Sequence, residues 1–229
     1  MFDAGALLNQ FLGADTSQTI QKGKDYLSNN AGSLAGGAAL GGLGGYMLGS
    51  KKGRKFAKKA ATYGGMALMA GLAYKAYNNY QSQKQATISS PSSQSENIPN
   101  ESAFQIENQN GSNSFGAILI SAMIAAAKAD GKIDGQEHQA IFAKIEEMQL
   151  ENDEKAFLFD QLNRPMDIDS LVAAAANQEQ AVEIYLASLM AIDVDTLAEK
   201  AYLSMLAARL NLEEDLVNHI HSTVEQGLD

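Results

Sequence analysis

Residues 178–210 read QEQAVEIYLASLMAIDVDTLAEKAYLSMLAARL, two apolar runs on either side of the acidic pentapeptide IDVDT. The spacing predicts helices over 180–191 and 196–210, with Ile184, Leu186, Leu189, Met190 and Ile192 packed in a core. Upstream, Phe115, Ile118, Leu119, Ala122, Met123 and Ala126 recur at three- and four-residue steps, one apolar face of a helix. Segments 140–148, 154–162, 168–176 and 212–225 repeat the pattern, which makes about seven helices in all. Only Pro165 interrupts them, alternating β-branched residues are absent, and alanine fills the small-residue positions. The expectation is therefore an all-α bundle over 115–229.

Before that bundle the chain changes character. Residues 1–88 carry ten Lys/Arg against three Asp/Glu, and 115–229 carry seven against twenty-one, so a +7 segment precedes a −14 domain. Between them, 81–114 is dominated by Ser, Gln and Asn with Pro91 and Pro99, shows neither apolar period, and is expected to be a flexible, disordered linker. The run 31–50, AGSLAGGAALGGLGGYMLGS, has no charge. As a helix its twenty residues span about 30 Å, the thickness of a bilayer hydrocarbon core. It is the candidate transmembrane helix, and eight of its residues are glycine. Gly37/Gly41, Gly41/Gly45 and Gly45/Gly49 fall four apart, a zipper that lets a second backbone approach and offers a route to self-association. A glycine-rich tether is the plainer alternative.

Directly after this run, 51–59 (KKGRKFAKK) places six cations in nine residues. Beside an uncharged run, in a chain of net charge −10, that cluster fits anionic lipid headgroups and not nucleic acid. A second apolar segment, 60–77, has an uncharged part that is short for a span and is expected to lie in the interface. Residues 1–80 then form a membrane-associated region with a single crossing, leaving the C-terminal domain in the cytoplasm. No cleavable signal is expected, because the first basic residue, Lys22, follows the apolar patch 6–12.

With no cysteine and no tryptophan, the chain excludes disulfide scaffolds, thiolate zinc sites, cysteine nucleophiles and thioether-linked haem. Its candidate chemistry lies at two helix junctions. AKADGKIDGQE (127–137) holds Asp130, Asp134 and Glu137, and MAIDVDTLAE (190–199) holds Asp193, Asp195 and Glu199. Each places an Asp just after an apolar helix and a Glu one turn into the next, as an internal duplication would. If the junctions meet, up to six carboxylates converge, and such a group needs a hard cation such as Ca²⁺ or Mg²⁺ between them. The competing reading is capping: Asp134 with Glu137, and Thr196 with Glu199, have capping-box spacing that needs no metal. Asp130-Gly131 is also an ordinary turn. The first junction is not an EF-hand, since Lys132 stands where that loop needs a ligand oxygen. His138 is expected on the surface, and His219 and His221, two apart, on different sides of one helix.

The stretches GGAALGGLGG, AAKADGKIDGQE, NQEQAVEIYLAS and AIDVDTLAEKAYLSMLAARL carry a resemblance. The C-terminal part is similar to the TerB-like domain of tellurite-resistance proteins. The whole layout resembles the YebE-type inner-membrane proteins of Gram-negative bacteria. The resemblance implies an all-helical fold, an acidic metal-binding surface and a place at the bacterial inner membrane. By position, Asp130, Asp134, Glu137, Asp193 and Glu199 match its acidic motifs, with Asp195 beside them. The functional expectation is a membrane-tethered acidic module that binds a divalent cation and a protein partner, in envelope or metal-oxyanion stress, and not an enzyme. The alternative is a hydrolase using the paired carboxylates to activate metal-bound water. No nucleophile, oxyanion donor or cationic clamp in the sequence accompanies those carboxylates.

Overall fold

The structure is a computed structural model that describes residues 4, 7, 8, 65–85, 112–129, 131, 145 and 150–228; among them are seven helices and no strand. The helices are α1 Gly65–Gln85, α2 Ser112–Ala127, α3 Asn152–Asn163, α4 Ile168–Ala173, α5 Gln178–Ala191, α6 Leu197–Arg209 and α7 Glu214–Leu228. Ile145 is helical and fully buried, and the rest of the 140–148 segment lies outside the described residues.

Every residue of α5 from Ala181 to Ala191 is buried. A helix apolar on all sides must be surrounded by other elements. Here α2, itself apolar all round, lies along α5 most extensively, while α1 and α6 cover other sides. The approach of α2 to α5 is close enough for Ser188 Oγ to donate to the Ala122 carbonyl at 3.3 Å. Asn177 caps α5, its side chain accepting from the Gln180 N–H at 2.8 Å. Against this centre α6 turns Tyr202, Leu203, Leu206 and Ala207 inward. α7 presents Leu216, Ile220, Thr223 and Val224 inward and leaves Asn218, Ser222, Glu225 and Gln226 to water.

The segment 60–77 requires a correction in its described part. It begins α1, whose Met69, Ala70, Leu72, Ala73, Ala76 and Tyr80 are buried against α7 and α5 in the same core as the rest of the bundle. The apolar face that looked suited to an interface is covered by protein, and each large side chain on it contributes roughly 1.5–3 kcal/mol by burial. α1 also runs on to Gln85, past the expected linker boundary at 81. At its end Lys84 pairs with Glu213 at 2.7 Å and stands 4.8 Å over the Tyr80 ring. The folded unit is therefore larger than 115–229. Among the described residues no helix is long and apolar enough to cross a membrane; the run 31–50, the basic stretch 51–59 and the linker residues 86–111 lie outside them.

Ala4, Leu7 and Leu8 belong to the core as well, each with no exposed surface. Gly116 on α2 makes room for Ala4: a Cβ at that glycine would stand 3.1 Å from the Ala4 carbonyl oxygen and 3.3 Å from its Cβ.

Candidate functional site

α5 ends at Ala191, and the acidic junction follows in extended and left-handed backbone. Val194 takes φ 59°, a conformation that costs a β-branched residue on the order of 1–3 kcal/mol. It allows Asp193 and Asp195 to flank it, half-buried and exposed respectively, before Thr196 opens α6. Thr196 and Glu199 form a complete capping box. Glu199 Oε2 accepts the Asp195 N–H at 3.1 Å, the Thr196 N–H at 2.9 Å and the Thr196 hydroxyl at 2.9 Å. In return Thr196 Oγ1 accepts the Glu199 N–H at 3.1 Å. These bonds satisfy backbone donors that a helix start otherwise leaves open. Glu199, only 9% exposed, thus has one oxygen committed to the fold.

The same device opens α3, a case that sequence reading missed. Glu151 and Glu154 form a second capping box, with the Glu151 N–H donating to Glu154 Oε2 at 2.9 Å. The pattern E-x-x-E is the available signal, since a carboxylate can stand where Ser or Thr is usual.

Of the first junction, Ala127, Lys128, Ala129 and Gly131 are described, and Asp130, Asp134, Glu137 and His138 lie outside the described residues. Gly131 has φ 67° and its N–H donates to the Lys128 carbonyl at 3.0 Å, the left-handed step that closes a helix end. Lys128, also unnoticed in the sequence, donates its ammonium to the carbonyls of Leu162 at 3.0 Å and of Arg164. It places a cation on the open carbonyl end of α3, where the helix dipole is negative. Burial holds its pKa below the usual lysine value. Among the described residues no three His, Asp or Glu side chains gather in a metal-holding group. Asp193, Asp195 and Glu199 do not form such a group by themselves.

The two C-terminal histidines meet different partners. His219 Nδ1 is 2.7 Å from the Asp215 carbonyl and its ring is edge-on to Tyr80, whereas His221 Nε2 is 2.9 Å from the Tyr185 hydroxyl. Burial pushes the Tyr185 phenol up to about 12. Glu183, 3% exposed within α5, is a further buried carboxylate that sequence reading passed over.

A cleft of about 830 Å³ opens between α4, the start of α5 and the α6–α7 turn. Its rim charges are matched within the fold: Arg209 pairs with Asp169 and Glu213 with Lys84. Asp193, Asp195 and Glu199 do not line it.

Among known proteins, the chain is 28% identical over 108 residues to an "uncharacterized protein in ampR 5'region" of Yersinia enterocolitica, a match covering 47% of this chain and 78% of that one. No solved structure matches it. A family match extends over residues 33–224, from the glycine-rich run to the last turns of α7. By that match the chain belongs to the family described as "protein of unknown function (DUF533)".

Proposed function

We propose that this protein is an acidic helical module held at the bacterial inner membrane, which carries a divalent cation and a protein partner in an envelope or metal-oxyanion stress response. The observation that supports it best is the position of α1. This helix is built into the bundle, and Gly65 follows Lys59 by six residues. Six residues reach about 20 Å fully extended. The cationic stretch 51–59 is therefore tied closely to a domain of opposite charge, and binding of that stretch to anionic headgroups brings the whole domain to the lipid surface. The glycine-rich run 31–50 supplies the apolar contact and a surface for self-association.

The cation belongs to the same reading through the resemblance to TerB-like domains. Since Glu199 already serves as a cap, Asp193 and Asp195 are the groups of the second junction that would meet the carboxylates of the first. Ca²⁺ or Mg²⁺ suits such an all-oxygen set.

Two measurements test this. The full chain should sediment with vesicles containing anionic phospholipid and not with purely zwitterionic ones, and replacing the six Lys/Arg of 51–59 by Gln should abolish the difference. Separately, Ca²⁺ or Mg²⁺ should raise the melting temperature of the full chain relative to chelator. Asp193→Ala should erase that rise. A melt indifferent to both cations would remove the cation and leave a capped helical scaffold.

A further inference from the structure

The buried N-terminal residues place a constraint on the membrane topology of the chain. Ala4, Leu7 and Leu8 have no exposed surface, and Leu7 and Leu8 belong to the same buried cluster as α1, α2 and α5. Ala4 lies against α2 at Gly116, close enough that a side chain there would touch its carbonyl oxygen. At the other end α1 is packed on α5 and α7 from Met69 onward. The 56 residues from 9 to 64 are thus anchored at both ends to one body. A chain that leaves a folded domain and returns to it crosses any membrane an even number of times, because that domain occupies one side only.

Two full crossings do not fit that interval. A span takes about 20 predominantly apolar residues. The interval contains one uncharged run of that length, 31–50. Residues 9–30 include Asp15, Lys22, Lys24 and Asp25, and 51–59 hold six cations.

We propose that the N-terminal leucines and the helical bundle share one side of the membrane, so that the chain between them makes no net crossing. This replaces the single crossing expected from the sequence. It rests on the membrane association proposed above, and uses the docked N-terminus to decide its geometry.

The chain has no cysteine, so engineered pairs report without background. Ala4→Cys with Gly116→Cys brings two Cβ positions to 3.3 Å. That is a few tenths of an ångström short of the usual range of about 3.5–4.5 Å for a disulfide. In membranes containing the full chain, mild oxidation should remove both thiols from reaction with a polyethylene-glycol maleimide, and reduction should restore them. Intramolecular and intermolecular bonds both place the two residues on one side. Because a side chain at 116 is crowded, a second measurement uses the single variants Asp3→Cys and Glu225→Cys, labelled in sealed spheroplasts with a membrane-impermeant maleimide. The two positions should be labelled together or protected together. One labelled and the other protected, in protein that pellets with membranes, overturns the shared side and leaves membrane association standing. Protein absent from the membrane pellet overturns the membrane reading itself, whatever the cysteine pair reports.

Discussion

α5 and α1 lie side by side, yet they are built on different principles. α5 is enclosed on all sides, and eleven consecutive residues of it, Ala181 to Ala191, are buried. α1 buries a stripe, Met69, Leu72, Ala73, Ala76 and Tyr80, and ends in polar residues that reach solvent. In sequence both look like apolar runs of moderate length. What separates them is the location of their partners. α5 packs most extensively on α2 and also on α6, both of which lie on its own side of the linker, whereas α1 meets α7 and α5 from across that linker. Periodicity states which face of a helix avoids water. It does not state whether lipid or protein covers that face, and for a helix beside a basic cluster the two alternatives have the same pattern.

The comparison is broken most directly by removing α1. Residues 115–229 alone leave the faces of α5 and α7 that contact it open to water, and should show no cooperative thermal transition by far-UV circular dichroism, while the full chain melts cooperatively. Next come single cavities. Leu189→Ala in α5, fully buried, should cost about 3–5 kcal/mol in urea unfolding, and Leu72→Ala in α1, at 5% exposure, about 2–3 kcal/mol. Equal losses would show that the stripe of α1 is as constrained as the enclosed helix.

High pH sharpens the contrast further. Burial raises the phenols of Tyr185 on α5 and Tyr202 on α6 to about 12 from an ordinary 10. Between those values the unfolded chain has lost protons that the native state keeps, so stability falls as pH rises. The contribution is fully present below pH 10 and lost by about 12, at most roughly 3 kcal/mol for each group. Tyr185→Phe and Tyr202→Phe should each flatten that decline, measured as urea midpoints across the window. At the exit of α5, Thr196→Ala should cost about 1 kcal/mol through the lost cap, equally with Ca²⁺ and with chelator. The smallest effect is expected at Val194→Gly. Relief of a left-handed backbone offsets the lost side chain to within about 1 kcal/mol.

Much of the bundle was legible because its helices are amphipathic or wholly apolar and its breaks are chemically marked. Thr196 with Glu199 announced the start of α6, and Asp130-Gly131 the end of α2. Other features had no such mark. Glu151 and Glu154 resemble surface carboxylates until the box they form is seen, and Lys128 resembles any solvated lysine until the carbonyls at the end of α3 surround it. Val194 violates local preference outright, so no propensity points to its conformation. Leu7 and Leu8 are two leucines in an unremarkable apolar patch, and only their burial in the common core reveals where they go.

That docking also has a timetable. Leu7 and Leu8 leave the ribosome about a hundred residues before Gly116, a delay of roughly 5–20 s at ordinary rates of synthesis. α1 waits longer still for α7. Throughout that interval the glycine-rich run and its basic flank are already made while the body that will hold both their ends is not. If the proposed membrane association holds, engagement with a lipid surface precedes closure of the bundle, and the order of translation then favours a chain that folds where it first attaches.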